Sequence, residues 1–143
     1  MVATRFAVAI HILLLLACQK REGPATSQLI ARSVNTNPVV VRRITGQLAR
    51  AGLLRVRRGP GGAELTREPG AVTLGDVWLA MNGARPGTVL TLHEAPNPEC
   101  EVGGQVHALL GEVFQQVDQA MLATLHRTTL AGLMASLEPR AAA

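Results

Sequence analysis

Residues 24–64, PATSQLIARSVNTNPVVVRRITGQLARAGLLRVRRGPGGAE, decide how the rest of the chain is read. Between Gly23 and Ala63 there is no aspartate or glutamate, yet seven arginines fall there: Arg32, Arg42, Arg43, Arg50, Arg55, Arg57 and Arg58. A block with one sign of charge repels itself unless an anionic partner offsets it.

The local grammar of the stretch is helix, turn, helix, hairpin. Thr26 or Ser27 can N-cap a helix through Arg32, with Leu29 and Ile30 turned inward. Asn35, Thr36 and Asn37 form a polar turn. Asn37-Pro38 then supplies an N-cap followed by proline at the first helical position. The second helix runs to Ala51 and stops at Gly52, a residue suited to the position just past a helix end. At about 100° per residue, Val40, Val41, Ile44, Leu48 and Ala51 fall on one side, and Val39, Arg42, Gly46 and Arg50 on the other. From Leu53 to Arg57 the chain alternates, placing Arg55 and Arg57 opposite Leu54 and Val56. Arg58-Gly59-Pro60-Gly61-Gly62 is a flexible turn, and a return strand is expected around Glu64 to Thr66. The order is that of a winged helix-turn-helix, whose second helix enters a major groove while the hairpin reaches the backbone or minor groove alongside. A solvated face on an ordinary helical hairpin is the plain alternative, but it requires neither the Asn-Pro start nor the basic glycine-rich turn.

At these residues the chain resembles the Rrf-type winged-helix transcription regulators. The matching residues are Arg5, Phe6, Ala7 and Ile10, then Asn37-Pro38 with Val41-Arg42-Arg43-Ile44, Leu48 and Ala51-Gly52-Leu53. They continue through Arg58-Gly59, Gly61-Gly62, Leu65 and Val72-Thr73-Leu74-Gly75-Asp76-Val77, so the resemblance covers nearly the whole chain. It implies a homodimer that binds an operator with two-fold symmetry. Cluster-binding members of the family carry three closely spaced cysteines after the wing, whereas this chain has only Cys100 there. No iron–sulfur cluster, and no other cofactor, is therefore expected.

Bulk composition agrees with a nucleic-acid partner. The 143 residues suit one domain, or one small domain with an arm, and a core of that size gains from dimerisation. A formal charge of +4 fits DNA and would also fit an acidic membrane surface. Aromatic residues make up only 2% (Phe6, Trp78 and Phe114), which argues against single strands, whose bases need aromatic platforms. Duplex DNA read by arginines remains. Cys18 and Cys100 lie far apart and read as free thiols of a reducing cytoplasm.

The N-terminus offers a competing reading. Arg5 followed by FAVAIHILLLLAC resembles a secretory signal, and Leu15-Leu16-Ala17-Cys18 a lipid-attachment site. Phe6 to Cys18 is too short to span a bilayer, which takes about 20 residues. The preferred reading is a buried first helix, because His11 interrupts the run and removing it would take away the core that the next segment needs.

Beyond the wing, Arg67 to Gly70 is a linker, and Thr73 with Asp76 makes an N-cap with an acidic partner for a helix through Asn82. Leu74, Val77, Trp78 and Met81 give that helix an inward stripe, and Gly83 ends it. Thr88 to Leu92 is expected to be a short extended piece. Two prolines make His93 to Glu101 a loop. A long helix begins near Val102 or Gly103 and runs to His126, with Val106, Leu109, Leu110, Val113, Val117, Ala120 and Met121 on a broad face. It would extend about 36 Å, and so long an apolar face on a small protein is expected to meet its twin. Thr128 or Thr129 caps a final short helix, and Pro139 to Ala143 is a frayed tail.

Cys100 precedes the long helix, whose dipole favours a thiolate, while Glu99 and Glu101 work against it. The preferred reading is an unreactive cysteine in a loop that holds a cluster in relatives; the alternative is a redox- or electrophile-sensing thiol. His93, Cys100 and His107 match no compact metal motif, so no metal site is expected. His11 and His126 read simply as helix residues.

The sequence thus predicts a mainly α fold with a small β-hairpin wing, a winged helix-turn-helix plus a long C-terminal dimerisation helix. Its regions are 1–68 for DNA binding, 69–101 for a linking helix and sensor loop, and 102–143 for the dimerisation and C-terminal helices. The expected function is sequence-specific binding of double-stranded operator DNA by a cytoplasmic homodimeric repressor that answers a redox or small-molecule signal. Expected DNA contacts are Ser27, Thr36, Asn37, Val39, Arg42, Arg43, Arg50, Arg57, Arg58 and Gly59, with Cys100 as the candidate sensor. The alternatives are a secreted or lipid-anchored basic protein, if the apolar run is a signal, or a small enzyme. The second lacks a nucleophile elbow, a phosphate-binding glycine loop or a metal signature.

Overall fold

The computed structural model describes residues 2–18, 23–58, 61–84 and 89–138. The apolar N-terminal run forms helix α1, Val2–Ala17. Ala9, Ile12 and Leu13 are completely buried, and Leu16 nearly so. Burial of a large aliphatic side chain is worth about 1.5–3 kcal/mol, so α1 lies at the centre of the core. The expectation of a buried first helix holds on that side only. On the other, Ala7, Ile10, His11, Leu14, Leu15 and Cys18 line an apolar groove together with Leu137.

Helix α2 spans Ser27–Val34, two residues longer than its sequence signal. Its N-cap is Thr26, whose Oγ1 accepts from the Leu29 amide at 3.2 Å. Asn35 stops it in the left-handed conformation at φ 61°, a geometry that asparagine tolerates better than most side chains. Helix α3, Pro38–Arg50, begins as the sequence predicts: Asn37 Oδ1 accepts from the Val39 amide at 2.8 Å, and Pro38 takes the first helical position. The inward face of α3 differs from expectation. Val41, Ile44 and Leu48 are completely buried, but Val40 is 37% exposed and Ala51 also faces outward. Thr45 takes the place on the inner side, since 41, 44, 45 and 48 form one i, i+3, i+4, i+7 stripe. Its hydroxyl donates to the Arg42 carbonyl at 3.0 Å, which satisfies the polar group in the core.

Strands β1, Leu54–Val56, and β2, Ala63–Leu65, pair antiparallel with Leu54 opposite Leu65, Arg55 opposite Glu64 and Val56 opposite Ala63. The return strand thus starts one residue earlier than expected. Leu54 and Ala63 point into the core, whereas Val56, although paired with Ala63, is 53% exposed. The turn end of the wing is tied to the chain before α2: Ala63 donates its amide to the Ala25 carbonyl at 3.0 Å. Gly62, at φ 68°, makes this approach feasible, because a Cβ there would lie 2.7 Å from the Ala25 backbone.

A short 3-10 turn, Pro69–Ala71, leads into α4, Leu74–Asn82, which opens with a full capping box between Thr73 and Asp76. Val77 and Trp78 are buried, Leu74 and Met81 half-buried. The Trp78 ring meets Phe6 of α1 edge-on at 5.1 Å, joining the first and fourth helices. Val89 to Leu92 is bent, irregular chain rather than the expected extended piece, and Thr88 lies outside the described residues. Helix α5, Val106–His126, begins three residues after Gly103, because Glu101 to Gln105 close turns of their own. Its 21 residues span about 32 Å rather than 36 Å, and none is buried. Thr129 caps the final helix α6, Leu130–Ala135, and the expected frayed tail lies outside the described residues. Among the described residues no helix is long and apolar enough to cross a membrane.

Candidate nucleic-acid interface

The outer surface of α3 carries Val39, 51% exposed, and the exposed arginines Arg42, Arg43 and Arg50. The buried stripe of Val41, Ile44 and Leu48 fixes the rotation of the helix, so these side chains stand away from the core. Arg42 leans back along its own helix, with Nε donating to the Pro38 carbonyl at 3.4 Å. Thr36 and Ser27 are half-buried, while Asn37 is exposed and occupied as the cap of α3.

Gln28, Arg32 and Asn35, which were not among the expected contacts, line a recess with Thr36 and Pro38 at the elbow between α2 and α3. Gln28 and Arg32 are four apart on α2, a spacing that could have placed them together. Arg5 of α1 donates from Nη2 to Gln47 Oε1 of α3 at 2.6 Å, across 42 residues of sequence. No local pattern signals that bond.

On the wing the picture changes most. Arg55 donates from Nε and Nη2 to Glu64 Oε1 at 3.0 and 2.6 Å, and Arg57 donates from Nε to the same oxygen at 3.1 Å. Hydrogen bonds first from Arg55 and then from Arg57 hold the Glu64 carboxyl below its usual range. Arg57 is therefore engaged within the wing, whereas Arg58 is exposed at its edge. Gly59 lies outside the described residues.

The sensor candidate lies elsewhere. Cys100 is exposed in the loop before α5, and backbone hydrogen bonds first from Gly103 and then from Val102 pull its thiol below the ordinary cysteine range, against a smaller desolvation. The expected opposition from Glu99 and Glu101 does not prevail. Gly103 is required there, since a Cβ would collide with the Asn97 carbonyl oxygen. His107 Nε2 donates to the His93 carbonyl at 2.7 Å, which commits one ring nitrogen of the histidine pair. Among the described residues no three histidine, cysteine, aspartate or glutamate side chains are grouped to hold a metal ion.

Comparison with known proteins accords with this architecture. The family model Rrf2, described as iron-dependent transcriptional regulator, matches residues 2–136. YwnA of Bacillus subtilis (strain 168), named as an HTH-type transcriptional regulator, is 40% identical over 134 residues, which is 94% of this chain and 97% of that protein. The solved structure of CymR, the global cysteine regulator of B. subtilis, superposes with a TM-score of 0.66 at 27% identity, over 94% of this chain and 96% of CymR. A transcriptional regulator from Lactobacillus plantarum superposes with a TM-score of 0.79 at 25% identity, over 95% and 90% of the two chains. With a helix-turn-helix, a two-stranded wing and a family match along almost its entire length, this chain belongs to the Rrf2 family of transcriptional regulators.

Proposed function

We propose that the protein is a cytoplasmic homodimeric repressor that binds an operator of two-fold symmetry in duplex DNA. The observation that carries this reading is the α3 surface, where Arg42, Arg43 and Arg50 stand exposed on a helix anchored by the Asn37 cap and flanked by a basic wing. Arg42 and Arg43 read the major groove, where a bidentate arginine–guanine pair is worth about 1–3 kcal/mol of discrimination. Val39 meets a thymine methyl. Ser27, Thr36 and Asn37 hold phosphates at the elbow, and Arg50, Arg57, Arg58 and Gly59 add backbone contacts that weaken with salt.

Self-association is supported by α5. Leu109, Val113 and Val117, spaced by four residues, are 65%, 51% and 39% exposed, an apolar stripe that a second copy would cover. Residues 1–68 form the DNA-binding region, 69–101 the linking helix and sensor loop, and 102–143 the dimerisation region. The protein works without an iron–sulfur cluster and without enzymatic activity, since the loop supplies one thiol where a cluster needs several. The backbone-supported Cys100 thiolate favours an oxidant or electrophile as the signal.

Selection of an operator from a random duplex pool tests this directly, followed by binding with and without peroxide or a thiol-blocking reagent, for wild type and Cys100→Ser. Loss of operator binding on treatment in wild type alone supports the repressor and its sensor. Identical binding by both proteins removes Cys100 as sensor, and failure to recover any specific duplex removes the DNA-binding reading.

A further inference from the structure

The wing sets one carboxylate against two guanidinium groups. Arg55 and Glu64 are direct cross-strand partners, and Arg57 lies two residues along on the same face. Glu64 Oε1 takes two N–H groups of Arg55, at 3.0 and 2.6 Å, and the Nε–H of Arg57, at 3.1 Å; Arg57 Nη2 also lies 3.1 Å from it. The two arginine side chains remain 65% and 61% exposed. An arginine has five N–H donors in a rigid fork, so each guanidinium with two nitrogens turned to Glu64 keeps further N–H groups directed outward.

Exposed ion pairs of this kind stabilise a fold little. Their effect here falls on the binding surface. From Gly23 to the start of the return strand at Ala63 there is no other carboxylate, so Glu64 is the single acid set into the basic block. Left alone, Arg55, Arg57 and Arg58 would present three mobile positive charges to any duplex. With Glu64 in place, the net charge is lower by one and two of the three side chains share one fixed anchor.

We propose that Glu64 is a positioning residue that sets sequence discrimination by the wing. By holding Arg55 and Arg57 on one oxygen, it fixes where their outward N–H groups meet a phosphate, and it withholds one unit of charge from arbitrary DNA. The inference rests on the duplex-binding reading above. Glu64 is ionised at neutral pH as any exposed glutamate is, and the hydrogen bonds from Arg55 and then Arg57 favour that form further.

Glu64→Gln keeps the shape of the side chain and removes its charge, while Glu64→Asp keeps the charge and shortens the reach. The full-length proteins are titrated with the selected operator and with a scrambled duplex of equal length over a salt series. Glu64→Gln is expected to bind the scrambled duplex about three- to eightfold more tightly near ~0.1 M salt, with a slope of log K against log salt steeper by up to about 0.9. Its operator preference should fall by about threefold or more, because the freed arginines gain charge attraction everywhere but lose their fixed placement on the operator. Glu64→Asp should keep the wild-type slope. If Glu64→Gln leaves both slope and preference unchanged, or weakens both duplexes equally, the clamp has no role in recognition. If wild type itself shows no salt-dependent duplex binding, the duplex-binding reading falls and this inference with it.

Discussion

The hydroxyl oxygen of Thr73, which caps the N-terminus of α4, lies 2.8 Å from Nδ1 of His126, the last residue of α5. That oxygen already accepts the Asp76 amide at 3.0 Å, which leaves its own proton available to the imidazole. Two backbone hydrogen bonds flank the contact, from Leu74 to Thr128 and from Leu130 to Val72, both at 2.9 Å. The far end of α5 is thus fastened to the start of α4, and α4 packs in turn against α3. Packing thus runs from α5 through α4 to α3.

The absence of a side chain at Gly75 makes this junction fit, because a Cβ there would overlap the His126 ring. Gly75→Ala is expected to destabilise the protein by about 1–3 kcal/mol, in the range of overpacking in a tight site. Gly111 of α5 is the internal control: a Cβ there meets nothing within 4 Å. Gly111→Ala should raise the midpoint of urea unfolding, since alanine is favoured over glycine in a helix interior by about 0.5–1 kcal/mol. Equal midpoints for both variants would show that the ring swings clear.

Arg42 and Arg58 should separate under mutation. Arg42→Ala, on α3, should change which operators are preferred, by about 1–3 kcal/mol at the affected base pair. Arg58→Ala, at the edge of the wing, should weaken binding to all duplexes and flatten the salt dependence by up to about 0.9 in slope. Binding of each variant to operator and scrambled duplex across salt decides it, and the same loss on both duplexes for both variants would sink the division.

Four helix starts were legible because each is written in neighbouring residues: Thr26, Asn37-Pro38, Thr73 with Asp76, and Thr129 all cap as their side chains dictate, whereas α5 has no side-chain cap and starts later than expected. The hairpin was legible from alternation and glycines, though Val56, exposed opposite the buried Ala63, shows that alternation fixes a face and not how deeply each residue on it is buried. What was not legible joins residues distant in sequence. The Arg5–Gln47 bond, the His126 ring over Gly75 and the grip of Glu64 on two arginines depend on how elements are set against one another. Glu64 came nearest to being readable, since a correct hairpin register puts it opposite Arg55.

The loop thiol has a signature in pH. With backbone N–H groups of Gly103 and Val102 favouring the thiolate, the Cys100 titration lies below the ordinary cysteine range. Alkylation of Cys100 by iodoacetamide, followed by mass spectrometry, should therefore reach half its maximal rate at lower pH than for the same cysteine in the urea-unfolded chain. The linkage has a fixed sign: the depressed value adds stability that is fully present above the unfolded pKa and is lost as pH falls through the folded one. Matching pH profiles in the folded and unfolded chains would remove the thiolate preference.

The stripe on α5 makes the last test. Leu109, Val113 and Val117 repeat every four residues along one edge of a helix that has no buried residue, so nothing in one chain removes them from water. Val113 is the middle of the three, and a glutamate there would place a charge within any apolar contact along the stripe. Val113→Glu is expected to shift the protein from dimer to monomer in analytical ultracentrifugation while leaving its helical circular dichroism intact. Operator affinity should then fall far more than affinity for a half-site duplex, because a dimer couples two half-site contacts through effective concentration, an advantage of about 10²–10⁴ when the geometry allows both. A variant that stays dimeric would place the self-contact elsewhere on the chain, and a wild type that sediments as a monomer would remove the dimer altogether.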